Sequence, residues 1–156
     1  MELVILTGVS GAGKSTVVQA FEEMDYSIVE NVPVNVVNDT ITAFLSDQIK
    51  YAKTVLVVSL DMALETLKIA KKYNAIKPFF IALDANKQEI LTRYKLTRHV
   101  HPLQAKGMSL EQAITSDRKA IEKVRPYTDL FIDTTGFTPT ELRKRIFINI
   151  RGKEKD

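Results

Sequence analysis

The chain has 156 residues, of which 45% are hydrophobic and 26% are charged, and its formal net charge is +3. This length predicts one domain that needs no disulfide or metal staple, and the absence of cysteine excludes thiolate zinc sites and cysteine nucleophiles. No apolar run approaches the roughly 18 residues of a membrane span, and the N-terminus lacks a basic leader, so we expect a cytoplasmic protein with no membrane association.

Short β-branched or aromatic runs alternate with longer segments of helical spacing along the chain. The predicted strands are 3–7, 27–29, 54–59, 79–83 and 130–132, and the predicted helices are 14–24, 34–48, 62–73, 87–95, 110–124 and 139–150. Each strand is apolar on both faces, as in a parallel sheet covered by helices. The alternation predicts one α/β domain over residues 1–150 with a doubly wound parallel sheet, and the charged residues 151–156 predict a frayed tail or the start of a linker.

Three helix starts carry capping signals. Ser109 with Gln112 three residues later predicts a capping box, and Thr138 with Glu141 predicts another. Asp84 stands shortly before the helix predicted from residue 87, and we interpret it as an N-cap.

A glycine-rich motif follows the first predicted strand and opens the first predicted helix. It is Gly8-Val9-Ser10-Gly11-Ala12-Gly13-Lys14-Ser15, which fits G-x-x-x-x-G-K-[ST]. The glycines let backbone amides converge on phosphate oxygens, and the positive end of the helix points at the same anion. The motif therefore predicts a mononucleotide site in which Lys14 contacts the β- and γ-phosphates, Ser15 binds Mg²⁺ and Thr16 adds a phosphate contact.

A phosphate-binding loop needs an acidic partner for the metal, usually at the end of a neighbouring strand. Asp61 follows the third predicted strand, where a helix cap and a metal partner are equally compatible with the pattern. Glu30 ends the second predicted strand, and in a small-molecule kinase that position could hold a general base or a substrate contact. Lys14, Glu30 and Asp61 are thus the candidate catalytic residues.

Acidic and basic residues are unevenly distributed along the chain. Residues 1–67 hold three bases and nine acids, for a net charge of −6, whereas residues 68–156 hold 19 bases and 10 acids, for a net charge of +9. Segment 93–103 carries three bases and both histidines, and Pro102 predicts a loop between two helices. Such a loop predicts a lid that closes Arg93 and Arg98 over phosphates. The alternatives are a solvated connection and an RNA-binding surface, and homo-oligomer formation stays open.

Taken together, these motifs resemble the N-terminal P-loop domain of the RapZ/YvcJ family. The resemblance rests on Gly8–Ser15, Tyr26, Glu30-Asn31-Val32-Pro33, Leu83-Asp84-Ala85, Arg93-Tyr94, Thr97-Arg98-His99-Val100-His101-Pro102-Leu103, Ser109-Leu110, Ala113-Ile114, Asp129, Ile132-Asp133-Thr134 and Glu141-Leu142. It spans essentially the whole chain. The block T-R-x-x-H-P-L, placed some 80 residues after the phosphate loop, is the specific part.

The resemblance implies a fold similar to small-molecule kinases and the binding of ATP and GTP with weak hydrolysis at most. Two departures bear on hydrolysis: Ser59 replaces the family's metal-assisting aspartate, and His99 replaces an arginine of the T-R-R-x-H-P-L block. The family also has a C-terminal domain to which RNA and sugar-phosphate recognition are attributed, and those functions are not transferred to this sequence.

The sequence is therefore compatible with three functions. The first is a regulatory domain that binds ATP or GTP with Mg²⁺ through Gly8–Thr16, with Arg93 and Arg98 sensing the phosphates. The second is a small-molecule kinase that uses Glu30 or Asp61 as base. The third is an RNA-contacting module that uses the basic half of the chain.

Overall fold

The computed structural model describes residues 1–97 and 100–154. Its strands are β1 (Glu2–Gly8), β2 (Ser27–Glu30), β3 (Lys53–Val57), β4 (Lys77–Asp84) and β5 (Leu130–Asp133). Its helices are α1 (Lys14–Glu23), α2 (Val37–Ser46), α3 (Leu60–Ala70), α4 (Lys87–Thr97), α5 (Leu110–Val124) and α6 (Pro139–Glu154), with short 3-10 turns at Val34–Val36, Pro102–Lys106 and Arg125–Tyr127. The predicted order of strands and helices is confirmed.

The five strands form one parallel sheet in the order β2-β3-β1-β4-β5. Helix α1 packs on α6, while α3 packs on α2 and α5, so the sheet is covered by two groups of helices. Covering both faces explains why Leu3, Val4, Ile5 and Leu6 of the central strand are all buried without alternation. The predicted doubly wound α/β fold is confirmed, and the carboxyl ends of all five strands meet at one edge.

Several helix boundaries differ from the sequence prediction, and the start of α2 and the end of α6 are two of them. The segment predicted to begin a helix at residue 34 starts with the 3-10 turn Val34–Val36 that follows the extended Pro33. Helix α6 continues to Glu154, past the predicted end at residue 150, and the guanidinium of Arg151 lies 5.4 Å from the ring centroid of Phe147. This i,i+4 contact supports the additional turn. The division of the chain at residue 150 remains a prediction.

Two predicted caps are confirmed and one is wrong. Ser109 Oγ accepts a hydrogen bond from the amide of Gln112 at 3.1 Å, and Thr138 Oγ1 accepts one from the amide of Glu141 at 3.1 Å. Asp84 is the last residue of β4, where its carboxylate accepts from the amide of Ala85, so it does not cap α4. That role falls to Asn86, whose Oδ1 accepts from the amide at the third helical position at 2.8 Å.

Among the residues described, no helix combines the length and the apolar composition that a membrane crossing needs.

Candidate functional site

The glycine-rich motif forms the turn between β1 and α1, at the carboxyl edge of the sheet. Gly8 lies directly against β4: a Cβ atom there would be 2.9 Å from the carbonyl oxygen of Leu83. The amide of Val9 donates to the same Leu83 oxygen at 3.0 Å. The neighbouring strand therefore holds the start of the loop and allows no side chain at position 8.

Five carbonyl oxygens of the loop accept hydrogen bonds from protein donors. Those of Gly8, Val9, Gly11, Ala12 and Gly13 accept, in that order, from the Lys14 ammonium, the Ala12 amide, the Arg93 guanidinium, the Thr134 hydroxyl and the Val17 amide. Because these oxygens already accept hydrogen bonds within the protein, they offer less unpaired negative charge to an anion bound at the loop amides.

The N-terminus of α1 lies inside this loop. Gly13 precedes the helix with φ 106°, no side chain of the described residues caps it, and its first turn holds no acid. In the part of the chain that the structure describes, the amides of Gly11, Gly13 and Lys14 donate to no protein acceptor. The converging amides and the helix dipole form a site of positive potential.

Lys14 is largely buried, and its ammonium donates to the Gly8 carbonyl at 3.1 Å. Burial lowers the pKa of Lys14, whereas the negative charges of Asp117 and Glu30 act in the opposite direction. An anion bound in the loop would remove part of this desolvation cost. Because the Lys14 ammonium is largely shielded from water, its attraction for a phosphate bound in the loop is only weakly screened.

The other predicted site residues lie at the same edge of the sheet. Ser15 is exposed in the first turn of α1, Thr16 is half-buried, and Glu30 is exposed at the end of β2. Asp61 is exposed in the first turn of α3, where its Oδ1 accepts a hydrogen bond from Ser59 Oγ at 2.6 Å. Among the described residues, no cluster of three or more acidic or histidine side chains forms a metal site. The catalytic and metal roles of these residues remain predictions.

Segment 93–103 differs from the predicted loop, because α4 runs to Thr97 and the 3-10 turn Pro102–Lys106 follows soon after. Arg98, the second predicted phosphate-sensing arginine, lies outside the described residues. Arg93 lies within α4 with a quarter of its side chain exposed. The first residues of the predicted lid, 93–97, therefore belong to helix α4.

The Arg93 guanidinium joins the phosphate-type loop, residues Gly8–Thr16, to the segment after β5. It donates to the Gly11 carbonyl at 2.7 Å, to the Thr134 carbonyl at 3.0 Å and to Glu89 Oε1 at 3.1 Å. The Thr134 hydroxyl, also within reach of Arg93, donates to the Ala12 carbonyl at 2.7 Å. Arg93 and Thr134 thus hold the loop through the carbonyl oxygens of Gly11 and Ala12.

We expect Arg93→Ala to lower the free energy of unfolding by about 2 kcal/mol, because it leaves two carbonyls without a charged donor. Arg93→Lys will not restore stability, since one ammonium cannot reproduce the fork that reaches Gly11 and Thr134 together. Urea denaturation followed by circular dichroism measures both, with the exposed Arg145→Ala as the matched control. Equal stability of Arg93→Ala and the control would contradict this role.

Asp84, which the sequence presents as a cap, is instead a buried acid at the sheet edge. The Asp84 carboxylate is 7% exposed and lies 3.5 Å from Arg118 Nε. Burial raises the pKa of Asp84, and the amide of Ala85 and the charge of Arg118 act against it. This carboxylate is held inside the protein at an energetic cost.

The raised pKa has a consequence for stability, because the folded protein binds the Asp84 proton more tightly than the unfolded chain does. The stability of the wild type relative to Asp84→Asn should therefore fall as pH rises from the ordinary value of 3.8 through the folded-state pKa, and level off above it. Urea unfolding across this range measures the difference, with the exposed Glu122→Gln as control. A relative stability that rises with pH would contradict the prediction.

Sequence reasoning missed Asp117, which lies on α5 beside the loop. Its Oδ2 accepts hydrogen bonds from the Ser10 amide at 3.0 Å and from His101 Nε2 at 2.7 Å. Ser10 Oγ is also hydrogen-bonded to the hydroxyl of Tyr94. No local pattern could have identified Asp117, because an acid on an amphipathic helix is ordinary and Ser10 is 107 residues away.

Comparisons with known proteins identify the family and the fold of the chain. The model of the RapZ-like N-terminal domain matches residues 1–154. The chain is 34% identical over 152 residues to a nucleotide-binding protein of Thermotoga sp. (strain RQ2), covering 92% of this chain and 52% of the relative. It is also 34% identical over 152 residues to the nucleotide-binding protein YvcJ of Bacillus subtilis (strain 168), covering 94% and 51%. The chain thus spans about half the length of the curated relatives it matches.

Among solved structures, an unliganded sugar kinase from Janibacter sp. HTCC2649 is similar with a TM-score of 0.68 at 15% identity, covering 96% of this chain and 93% of that one. At this identity the likeness describes the fold, which is the P-loop kinase type. With the family model matching almost its whole length, the chain belongs to the RapZ-like N-terminal domain family.

Proposed function

We propose that the domain binds a nucleoside triphosphate, ATP or GTP, with its phosphates in the loop Gly8–Thr16. The observation that carries this proposal is the set of loop amides that converge on the start of α1 with no protein acceptor among the described residues, beside the largely buried Lys14. Triphosphates supply the oxygen anions that such a site stabilises. The relatives described above are named as nucleotide-binding proteins, which supports the same ligand class.

Mg²⁺ fits the site as a partner of the nucleotide. Magnesium is usually held by one or two protein oxygens together with substrate phosphates and water. The exposed hydroxyl of Ser15 in the first turn of α1 is a suitable protein oxygen. When bound, the ion would supply charge neutralisation at the β- and γ-phosphates.

We further propose a regulatory domain with weak hydrolysis at most. Ser59 stands where the family resemblance places a metal-assisting aspartate, and it donates to the carboxylate of the nearby Asp61. A side chain that anchors its neighbour in this way offers a poor second magnesium ligand and no base for water. Weak turnover with firm binding is the behaviour expected of a nucleotide sensor.

Isothermal titration with ATP, GTP, ADP and GDP, each with and without Mg²⁺, tests the proposal. We expect triphosphates to bind at least about tenfold more tightly than diphosphates, because Lys14 and Mg²⁺ act on the γ-phosphate. Absence of binding by all four nucleotides would contradict the proposed function. Equal affinity for diphosphates and triphosphates would contradict γ-phosphate sensing while leaving nucleotide binding intact.

A small-molecule kinase is the second candidate, and Glu30 favours it. Burial lowers the pKa of the Lys14 ammonium, and the exposed Glu30 carboxylate is close enough for its charge to oppose that shift. An acid beside the transferred phosphate could accept the proton of an acceptor hydroxyl. ATP turnover stimulated by a sugar or polyol and lost in Glu30→Gln would favour this function, and turnover unaffected by any acceptor would argue against it.

RNA contact is proposed for the basic half only as a property to be tested beside nucleotide binding. Exposed bases on α6, such as Lys144 and Arg145, supply positive charge away from the loop. Gel shifts over a series of salt concentrations measure it, since phosphate contacts weaken steeply as salt rises.

A further inference from the structure

Four side chains link the phosphate-type loop to the segment that begins at His101. The Asp117 carboxylate accepts from the Ser10 amide and pairs with His101 Nε2 through the same oxygen. The Tyr94 hydroxyl is hydrogen-bonded to Ser10 Oγ, and its ring stacks on the imidazole of His101 with a centroid distance of 5.9 Å. Ser10 and His101 are thus joined by two independent paths.

The hydrogen bonds determine the tautomer of His101. Its Nδ1 accepts from the amide of Leu103 at 3.0 Å, so that nitrogen carries no proton. The proton is therefore on Nε2 and is donated to the Asp117 carboxylate at 2.7 Å. The imidazole is 2% exposed and Asp117 is 15% exposed, so water competes little for either bond.

His101 also begins the 3-10 turn Pro102–Lys106. Its own amide donates to the side chain of Gln104 at 2.8 Å, which completes a capping box around the turn. An imidazole fixed from both nitrogens therefore sets the position of the whole turn, which ends at the left-handed Gly107.

Asp117 contacts the loop as well as the turn, through the Ser10 amide at 3.0 Å. Burial lowers the pKa of Lys14, and the negative charge of Asp117 opposes that shift. One carboxylate thus contacts a loop amide, influences the loop lysine and holds the histidine of the turn. A phosphate that draws the ammonium towards itself changes the charge that Asp117 experiences. The same carboxylate oxygen contacts both the loop and His101, which precedes residues 102–107.

We propose that Asp117 and His101 are positioning residues that couple the phosphate-type loop to the turn at residues 101–107, so that nucleotide in the loop stabilises the turn. The nucleotide part of this proposal rests on the proposed function. Because coupling between two sites is reciprocal, loosening the turn must weaken nucleotide binding, at most by the factor by which nucleotide strengthens the turn. Neither residue is required to touch the nucleotide.

Hydrogen–deuterium exchange of the nucleotide-free chain, followed by NMR, tests the coupling without any ligand. His101→Ala removes the acceptor of the Leu103 amide, and we expect the Ser10 amide, which does not contact His101, also to exchange about fivefold faster. Asp117→Ala should accelerate Leu103 in the same indirect way. Acceleration confined to the directly contacted amide would overturn the proposal, and unchanged exchange at Ile5 in β1 shows that the fold persists.

Two conservative variants separate coupling from general loosening and serve where an alanine variant fails to fold. Asp117→Asn keeps an acceptor oxygen, and both amides should exchange within about twofold of the wild type. His101→Gln keeps a donor for Asp117 but lacks the Nδ1 acceptor, so the Leu103 amide should accelerate, whereas the Ser10 amide should accelerate less than it does in His101→Ala. Equal exchange of the Ser10 amide in His101→Gln and His101→Ala, or acceleration of both amides in Asp117→Asn, would overturn the proposal.

ATP titration of the same proteins measures the effect on the site. We expect Asp117→Ala and His101→Ala each to weaken ATP binding about tenfold, with the double variant no weaker than the worse single variant. The exposed Glu122→Ala on α5 is the control. Wild-type affinity in His101→Ala would overturn the link to nucleotide. If the wild type binds no nucleotide, the proposed function fails and the exchange experiment alone decides the coupling.

Discussion

Lys14→Ala is expected to weaken ATP and GTP binding by about 100-fold, which corresponds to about 3 kcal/mol. The loss is large because the ammonium is largely buried beside the converging amides, where a charge–phosphate contact is poorly screened by water. Stability should change little, since burial penalises the ammonium and its hydrogen bond in the folded chain is to the single Gly8 carbonyl. Calorimetry measures the affinity and thermal denaturation measures the stability.

Two further variants give this experiment its controls. Lys14→Met keeps most of the aliphatic stem and removes the charge, so it should lose as much affinity as Lys14→Ala. Lys68→Ala removes an exposed lysine in the last turn of α3 and should leave the affinity unchanged. Nucleotide affinity that survives in Lys14→Ala would refute the assignment of the loop as the phosphate site, whatever the fate of the coupling through Asp117.

Gly13→Ala is expected to destabilise the domain by about 3 kcal/mol, or roughly 10 °C in melting temperature. Two costs combine at this position. The φ of 106° is strained for any residue with a side chain, and the added Cβ would lie 2.8 Å from Cδ2 of Leu142, a buried residue of α6. Because Gly13 immediately precedes α1, any relaxation also displaces the amides of the loop, so ATP affinity should fall with stability.

The other glycines provide matched controls for these two costs. Gly136 has φ 80°, and a Cβ atom added there would have no described neighbour within 4 Å, so Gly136→Ala carries the strain alone and should cost about 1 kcal/mol. An added Cβ at Gly152 on α6 also meets no described neighbour, and φ is not positive there, so Gly152→Ala should be neutral or slightly stabilising. Equal melting temperatures for Gly13→Ala and Gly136→Ala would show that Leu142 yields without cost.

The predicted elements that proved accurate are those whose signals are local. The capping box at Ser109 and Gln112 places the start of α5 correctly, because both partners lie within one helical turn. The interpretation of Asp84 as a cap was wrong because the partner of its carboxylate is remote in the chain. A carboxylate before a helix resembles a cap in sequence, but Asp84 points into the protein towards Arg118, which lies on a different helix.

By itself the sequence determined the α/β alternation, the glycine loop between β1 and α1, and the family resemblance. These depend on neighbours in the chain, whose geometry is set by backbone preferences and by the period of apolar residues. Only the tertiary structure decided what holds the loop. Arg93 meets Gly11, Thr134 meets Ala12 and Asp117 meets Ser10 at separations of 82, 122 and 107 residues. Such contacts form only when the helices pack over the sheet, and no pattern along the chain predicts which residues they join.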